Sequence, residues 1–485
     1  MTRRLAKRRI AASNSASFRL ASRFALSDRA TAYAERSANF ARPTTPYRVP
    51  GYDGDVRFPA DHDRDCDAND DRYLAEHPVN RAAVAGTDQQ DAKFTDMLKN
   101  EPADSFLARH WQKSPAFLPS AAAESLPALD ANELAWLATL PDVESRLVLT
   151  DCDGDATRYR LENGPFEASR LERLPGRDWT LLVNDVDKHL PDFRSYLDMV
   201  DFVPDWRIDD LMVSCAAPGG SVGPHEDNYD VFLVQGAGAR EWQFGSRDTT
   251  EPDEGSDALS LVKPFDPLER LSCRDGDILY LPPHTPHWGI ASELCITYSI
   301  GMRAPTIDEL RLAAERCLQR DNMSMPSGDR LFYADPDLTA GEAEPGHISE
   351  QVITRLRAQS LVDASLAEAD VATILGCAVT DPKAWLAPEP ITGRDASASI
   401  TEPEPLAVHG MAKIAWYRHG DRGIVFVNGV GRALEADQLE VIRRLCRRRQ
   451  LDPGDKRTLS ETPSGRELLV WLLAEGLFDT GDPGQ

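Results

Sequence analysis

Two short histidine motifs, each beside an apolar run, constrain the fold of this 485-residue chain more than any other feature. The first motif sets His225 and Asp227 between a glycine-rich turn and the apolar run 231–234. Because that run is short and rich in β-branched residues, it predicts a strand and not a helix. Residues two apart project from the same face of a strand, so His225, Asp227 and Tyr229 are expected on one side. One imidazole and one carboxylate side by side supply two ligands of a facial metal site with open coordination positions.

The second motif offers a third metal ligand from another predicted strand. It follows the apolar run 278–281, where a proline-rich turn presents His284 and His287. Two histidines and one carboxylate make a poor closed zinc site, because structural zinc normally has four ligands. An open site for chemistry is therefore favoured over a structural metal. From the residues alone, His284 and His287 both stay candidates for the third ligand.

The two motifs, in this order and each beside its own predicted strand, resemble those of non-haem Fe(II) oxygenases on a double-stranded β-helix. The chain resembles in particular the JmjC-type ribosomal oxygenases, of the bacterial kind that hydroxylates an arginine in a ribosomal protein. The runs that carry this resemblance are Asp205–Met212, His225–Phe232, Ile278–Pro283 and Tyr298–Pro305. The resemblance extends over most of the chain from about Trp111 onward.

The resemblance implies a mixed α and β fold. It predicts a double-stranded β-helix (JmjC/cupin) core, followed by a helical dimerisation region and a C-terminal winged-helix domain. The expected boundaries are 96–305 for the oxygenase domain, 306–390 for the helical region and 391–485 for the winged-helix-like domain. At the boundary between the oxygenase domain and the helical region, Thr306 and Glu309 form a capping-box pattern, which predicts that a helix begins there.

The resemblance also implies an activity. It predicts an Fe(II)- and 2-oxoglutarate-dependent protein hydroxylase that uses O2 and acts on an arginine side chain of a large-subunit (50S) ribosomal protein. A ribosomal histidine hydroxylase and a lysine demethylase of the same fold stay open as alternatives. So does a protein of another class, a non-catalytic cupin-like binding protein whose metal is structural. Turnover of the cosubstrate would separate an enzyme from a binding protein.

Individual residues acquire roles from the resemblance. The implied metal ligands are His225, Asp227 and His287, because His287 completes the Pro-His-x-Gly pattern of the family. His284 lies where the family needs no ligand and is interpreted as a turn residue. Arg240 aligns with the arginine that pairs with the far carboxylate of 2-oxoglutarate, a task for which a bidentate guanidinium is well suited.

The remaining implied contacts involve the cosubstrate and the protein substrate. Thr297 is expected to add a hydroxyl contact to 2-oxoglutarate. The expected arginine pocket consists of Asp210, Met212, Tyr229 and Ser299. A carboxylate, a thioether and a phenol ring can enclose a guanidinium by charge, packing and cation–π contact. The ordinary alternatives are a strand-end cap for Asp210 and a core position for Met212.

Net charge and cysteine usage limit the partners of the chain. A formal charge of −25 argues against direct nucleic-acid binding, which needs a basic surface, and suits a basic ribosomal protein as substrate. Surplus acid also serves solubility. The eight scattered cysteines are typical of a reduced, cytoplasmic protein. No membrane span is expected, since no apolar stretch approaches eighteen residues, and the resemblance implies a homodimer.

Residues 1–95 are expected to be a disordered or foreign N-terminal extension. The first fifty residues contain eleven Lys or Arg against Asp28 and Glu35, a net charge of +9. Such an Arg- and Ser-rich, acid-poor composition is found in organellar transit peptides. A basic tail, or an over-extended start of a bacterial sequence, is the favoured alternative because the family resemblance begins only later.

Two further runs imitate ligand sites. Asp151–Asp155 with Glu162 approaches the spacing of a calcium loop, but its glycine stands at the fourth position and not the sixth. A β-hairpin turn is therefore predicted. The arginine-rich run 443–449 could contact nucleic acid, yet basic residues in the last turn of a helix also complement its dipole, and this second interpretation is preferred.

Overall fold

The structure is a computed structural model that describes residues 102–122, 126–153, 156–247, 251–253, 260–318 and 331–479. The predicted N-terminal extension, residues 1–95, lies outside the described residues. None of the helices in the described ranges is long and apolar enough to cross a membrane.

Within the described residues, the strands that precede residue 303 form two antiparallel sheets. They are β1 (Ala116–Leu118), β2 (Ser145–Asp153), β3 (Ala156–Asn163), β4 (Trp179–Val183), β5 (Ile208–Ala216), β6 (Val231–Ala237), β7 (Ala239–Phe244), β8 (Glu269–Arg274), β9 (Ile278–Leu281), β10 (His287–Ala291) and β11 (Cys295–Met302). The larger sheet has the order β1-β9-β6-β11-β5-β4-β2-β3, and the smaller has the order β10-β7-β8. Val231 and Leu233 of β6 share a core with Trp242 and Phe244 of β7. The two sheets therefore pack face to face.

Short helices cover the outside of the larger sheet. They are α1 (Ala103–Arg109), α2 (Ala131–Leu137), α3 (Ala168–Leu171), α4 (Val186–His189) and the 3-10 helices Pro191–Val200 and Asp205–Arg207. Tyr196 stacks on Tyr298 of β11 with ring centroids 4.4 Å apart. Since side chains alternate along a strand, Thr297 and Ser299 point to the other face. Ser299 lies there opposite Leu233 of the shared core, so this face is the interior between the sheets.

Helices dominate the next part of the chain. They are α5 (Ile307–Leu318), α6 (Glu350–Ala358), α7 (Glu368–Thr380) and α8 (Gly393–Thr401), with a 3-10 helix at Ala340–Glu342. The predicted capping box is confirmed. The amide of Glu309 donates to Oγ1 of Thr306 at 3.1 Å, and the amide of Thr306 donates to Oε2 of Glu309 at 2.8 Å.

A small sheet and three helices follow. The elements are β12 (Leu406–Ala407), β13 (Ile414–His419), β14 (Arg422–Val427), β15 (Val430–Leu434), α9 (Ala436–Arg448), β16 (Gln450–Leu451), α10 (Pro453–Ser460) and α11 (Pro463–Ala474). Strands β13, β14 and β15 form an antiparallel sheet. Its buried residues Ala415, Tyr417 and Phe426 share one core with α5 and α7. The chain on either side of the expected boundary at residue 391 is thus packed together, and the winged-helix assignment stays a prediction.

The two runs that imitate ligand sites have structural roles. The predicted hairpin is confirmed, because β2 and β3 pair along their whole lengths and Glu162 forms ion pairs with Arg160 and Arg170. The arginines of α9 also pair with acids: Arg443 with Glu344 and Glu440, Arg444 with Asp455, Arg447 with Glu344, and Arg448 with Asp452. These pairs favour a structural role for the arginine-rich run.

The two packed sheets formed by β1 to β11 are called the barrel below. A buried charge network joins this barrel to the chain that follows it. Arg207 is fully buried, and its Nε and Nη2 donate to the two carboxylate oxygens of Asp335, each at 3.1 Å. Its Nη2 also lies 3.6 Å from Oδ2 of Asp230. Asp230 accepts further hydrogen bonds from the hydroxyl of Tyr280 and from Nε2 of Gln112. Burial opposes the charge of Arg207, but Asp335 and Asp230 outweigh it and raise its pKa.

Replacement of Arg207 should therefore strongly destabilise the fold. Arg207→Met leaves two buried carboxylates without their cation, which should lower the free energy of unfolding by about 3–5 kcal/mol. The measurement is urea unfolding, in which the midpoint concentration of the first transition, multiplied by its slope, gives the free energy of unfolding. Arg311→Met is the control, since it removes only an exposed pair with Asp308 and should cost less than about 1 kcal/mol. Equal losses in the two variants would contradict the prediction.

Candidate metal centre and substrate pocket

His225, Asp227 and His287 converge at one end of the barrel interior. Their ligand atoms all lie within 4.8 Å of one another. Nε2 of His287 is 3.8 Å from Oδ2 of Asp227, and the centroids of the two imidazole rings are 4.2 Å apart. Two imidazoles and one carboxylate at this separation fit a divalent metal ion with open coordination positions.

The backbone brings these residues together in a different way from the one expected. His225 and Asp227 do not extend a strand, because β6 begins only at Val231. Instead His225 forms an isolated antiparallel bridge with His287, in which their amides and carbonyls exchange hydrogen bonds of 3.0 and 2.8 Å. The prediction that strand alternation aligns His225, Asp227 and Tyr229 is therefore wrong. The main-chain bridge to β10 is what aligns the two histidines.

Both imidazoles are held in the form that binds metal. Nδ1 of His225 lies 2.9 Å from the carbonyl oxygen of Gly223, and Nδ1 of His287 lies 2.8 Å from that of Thr285. Since a carbonyl oxygen only accepts, each Nδ1 carries the proton and each Nε2 keeps its lone pair for a metal. Burial, and secondarily His225, lower the pKa of His287 to about 4, so this ring is neutral at neutral pH.

Ser221 and Trp288 support the loop that carries His225. The hydroxyl oxygen of Ser221 accepts from the amide of Gly223 at 3.0 Å and from Nε1 of Trp288 at 3.0 Å. Gly223 has φ +87°, and a Cβ there would meet Leu261 at 2.9 Å. These contacts fix the carbonyl that orients His225. Sequence reasoning missed Ser221, although its place within the glycine-rich turn was a signal.

His284 stands apart from the three converging residues. It is exposed and has φ +59°, a turn conformation that is uncommon outside glycine. Its amide donates to the carbonyl oxygen of Asp227 at 2.7 Å. The contribution of His284 is thus made by its backbone, which ties the turn before β10 to the Asp227 segment.

Arg240 is a buried cation that forms no ion pair with the described residues. It is 4% exposed, and within the described residues its Nε and Nη2 have no hydrogen-bond partner. Its guanidinium lies 5.6 Å from the ring centroid of Trp242, and that ring lies 5.9 Å from the ring of His287. A buried charged group is normally paired, so the site is suited to an anionic ligand.

Thr297 is buried beside a glutamine that sequence reasoning missed. Its hydroxyl donates to Oε1 of Gln235 at 3.2 Å across β11 and β6. Nε2 of Gln235 donates in turn to the carbonyl oxygens of Ala237 at 2.7 Å and Ile296 at 3.1 Å. The glutamine therefore holds the Thr297 hydroxyl in place between β6 and β11.

Three of the four expected substrate residues lie on β5 and β11: Asp210, Met212 and Ser299. Met212 is paired with Ser299 and Asp210 with Gly301, so the side chains of these strand neighbours share the interior face. A Cβ at Gly301 would approach Oδ1 of Asp210 to 3.3 Å. Tyr229 is 40% exposed, and Asp227 first, then burial and Asp210, raise its pKa. The carboxylates of Asp227 and Asp210 therefore both act on the phenol of Tyr229.

Arg146 of β2 is a second cation that sequence reasoning did not find. Its Nη2 lies 3.9 Å from the sulfur of Met212 and 3.4 Å from Oδ1 of Asn184. Its Nε is buried without a partner in the described part of the chain. The pocket wall therefore carries positive charge at Met212 and negative charge at Asp210.

Several known proteins are similar to this chain in sequence. Residues 196–310 match the family described as JmjC domain. The chain is 38% identical over 257 residues to the ribosomal protein uL16 3-hydroxylase of Escherichia coli (strain K12), over 53% of this chain and 65% of that protein. It is 32% identical over 270 residues to a probable ribosomal oxygenase of Haemophilus influenzae, over 53% of this chain and 63% of that protein. The chain thus spans slightly less than two thirds of these curated relatives.

A solved structure extends the match. The crystal structure of the Escherichia coli ribosomal oxygenase YcfD matches with a TM-score of 0.56 and 32% identity, over 77% of this chain and 96% of that one. The chain belongs to the JmjC-domain ribosomal oxygenase family. A structure of YcfD in complex with cobalt and 2-oxoglutarate matches over the same shares, with a TM-score of 0.56 and 29% identity. The JmjC/cupin core predicted for this family member is confirmed.

Loss of any of the three converging residues should abolish metal binding. His225→Ala, Asp227→Ala and His287→Ala each remove one donor from a set of three, whereas His284→Ala removes none. The measurement is the Co(II) or Fe(II) content of the purified proteins after dialysis against the metal. A metal-free His284→Ala together with a metal-loaded His287→Ala would reverse the ligand assignment.

Ser221→Ala should weaken metal binding without removing a ligand. Loss of the hydroxyl frees the Gly223 carbonyl that orients His225, and changes around a metal site of this kind cost about 10–100-fold in affinity. Competition with a chelator measures the affinity for Co(II). Ser272→Ala, in β8 of the smaller sheet, serves as the control. A wild-type affinity in Ser221→Ala would show that the loop holds its shape without this hydroxyl.

Proposed function

We propose that this chain is an Fe(II)- and 2-oxoglutarate-dependent protein hydroxylase that acts on an arginine side chain of a large-subunit ribosomal protein. The observation that carries the proposal is an open His-Asp-His site in the same barrel interior as Arg240, whose buried Nε and Nη2 have no hydrogen-bond partner among the described residues. A metal with open positions and an unpaired cation together suit a cosubstrate that chelates the metal and ends in a second carboxylate. The relative named as a uL16 3-hydroxylase supports a ribosomal protein as substrate.

The donor set fits the metal. His225, Asp227 and His287 would hold Fe(II), and both histidines already present an unprotonated Nε2. When bound, the metal and 2-oxoglutarate supply the oxidation of a C–H bond by O2. Arg240 would bind the far carboxylate of the cosubstrate, and the hydroxyl of Thr297 would turn from Gln235 to donate a hydrogen bond to it.

The barrel itself excludes water from the reacting groups. Below the three converging residues the interior is filled by buried apolar side chains of both sheets: Val231, Leu233, Trp242, Phe244, Leu279 and Leu281. Exclusion of water strengthens the electrostatic contacts inside such a site and suppresses side reactions. The open end, where Tyr229 is half exposed, is the side from which a substrate would enter.

Asp210 selects the substrate side chain in this proposal. Burial raises the pKa of Asp210 to about 6, against the opposing effect of Lys188. At neutral pH the carboxylate is ionised yet poorly solvated, so a guanidinium that enters the pocket restores its pairing. Tyr229, Met212 and Ser299 would then enclose the same side chain. A neutral imidazole gains less from this carboxylate than a guanidinium does, which favours arginine over histidine.

We also propose that the protein is a cytoplasmic homodimer that associates through residues 306–390. Large apolar side chains exposed in this part of the chain support the proposal: Leu312 is 59% exposed, Leu331 42% and Trp385 52%. Burial of such exposed apolar side chains against a partner favours association. A C-terminal winged-helix fold for residues 391–485 belongs to the same proposal.

Arg240→Met should separate cosubstrate binding from stability. Loss of the charge-assisted pair should weaken 2-oxoglutarate binding by about 1.5–3 kcal/mol. Without cosubstrate the variant should resist urea at least as well as the wild type, because a buried unpaired charge has been removed. Calorimetry with Co(II)-loaded protein and urea unfolding measure the two effects. Arg270→Met, on the exposed face of β8, should change neither, and full 2-oxoglutarate affinity in Arg240→Met would remove Arg240 from the site.

Mass spectrometry of peptides tests the substrate. With Fe(II), 2-oxoglutarate and O2, the wild type should add one oxygen atom to an arginine of a large-subunit ribosomal protein and not to a histidine. Asp210→Asn should lower kcat/KM for that peptide by about 1.5–3 kcal/mol in transition-state free energy, with metal and 2-oxoglutarate still bound. Asp308→Asn, an exposed carboxylate, is the control. Addition of an oxygen atom to histidine would contradict the proposal that arginine is the substrate. Full arginine hydroxylation by Asp210→Asn would contradict the role of Asp210.

A further inference from the structure

The carboxylate of Asp210 rests on a cluster of charged side chains drawn from distant parts of the chain. The groups that face this cluster are Asp185, Asp187 and Lys188 at α4, Asp209 on β5 itself, Arg303 after β11, Lys383 after α7, Lys413 before β13, and Tyr229 on the segment before β6. The substrate pocket proposed above is thus supported from outside the barrel.

Lys383 is the cation that reaches the Asp210 carboxylate from beyond the barrel. Its Nζ lies 4.0 Å from Oδ2 of Asp210, 3.7 Å from Oδ2 of Asp209 and 2.9 Å from Oδ2 of Asp185. The amide of Asp185 donates to Oδ2 of Asp210 at 3.0 Å. Lys383 therefore holds both the carboxylate and the backbone segment that anchors it.

Opposing effects act on the pKa of the Asp210 carboxyl. Burial raises its pKa, Lys188 and Lys383 lower it, and Asp185 and Asp209 raise it. Lys188 has the larger effect of the two cations and also pairs with Asp185 and the carbonyl oxygen of Asp209, while Lys383 likewise pairs with Asp185. Burial opposes the charge of Lys383, but Asp210, Asp209 and Asp185 raise its pKa, so it stays charged. Removal of Lys383 would tip the balance toward a protonated Asp210.

We propose that Lys383 is a positioning residue of the substrate pocket, which keeps Asp210 ionised and oriented to receive a guanidinium. The inference rests on the proposed function, since it assigns the arginine specificity to a lysine outside the JmjC domain. A protonated carboxyl cannot form a charge-assisted pair with a guanidinium. Lys383 thus acts through Asp210 and has no contact with the reacting groups.

The pH dependence of peptide hydroxylation tests this role. In the wild type, kcat/KM for the arginine peptide should fall as pH drops through the pKa of Asp210, near 6. Lys383→Met and Lys383→Gln should move this acidic limb to higher pH, with about a tenfold loss on the limb for each pH unit moved. The loss should lie in KM with kcat little changed, and it should vanish at alkaline pH.

Three controls separate a specific role of Lys383 from a general effect of charge or folding. Lys383→Arg should restore the wild-type profile, and Arg316→Met should leave it unmoved, because Arg316 pairs with Asp381 in the same helical region. Binding of 2-oxoglutarate to the Co(II)-loaded variants verifies that they are folded. An unmoved limb, or an equal loss at every pH, would overturn the role of Lys383 alone. A wild type without activity on any arginine peptide would overturn the proposed function and this inference with it.

Discussion

The fully buried pairing of Arg207 with Asp335 and Asp230 is the contact on which the arrangement of the site depends. Asp230 immediately precedes β6 and follows Asp227 closely in sequence. The network therefore fixes where the segment that contains Asp227 joins the larger sheet. Asp335 comes from the chain beyond the barrel. Separation of the barrel from the following region would therefore break an ion pair that is fully buried in the folded chain.

Two arginines of the same barrel show opposite solutions to burial. Arg207 satisfies its guanidinium with carboxylates of the protein, and its role is structural. Arg240 is almost as deeply buried, yet the described residues offer no acceptor to its Nε and Nη2. A buried guanidinium whose donors find no acceptor needs an explanation, and an anionic ligand supplies one. The difference between the two arginines separates architecture from function more clearly than their burial does.

The sequence could predict these two strands because each depends on a local apolar pattern. The apolar runs 231–234 and 278–281 lie in β6 and β9, and His225 converges with His287, one of the two histidines that the second motif left open as a ligand. The physical reason given for this convergence was wrong, since a main-chain bridge and not strand alternation aligns them. Lys383 could not be predicted, because its contact with Asp210 joins residues far apart in sequence and no local pattern marks it.

The unpaired guanidinium of Arg240 has a consequence for how long the protein survives in a cell. Under the proposed function, 2-oxoglutarate binds the folded chain and not the unfolded one, so its concentration adds directly to folding stability, by about 2.7 kcal/mol at a hundredfold excess over Kd. Proteases that degrade transiently opened chains sample the population that this ligand suppresses. The abundance of the enzyme would then follow the supply of its own cosubstrate, without any separate regulatory element.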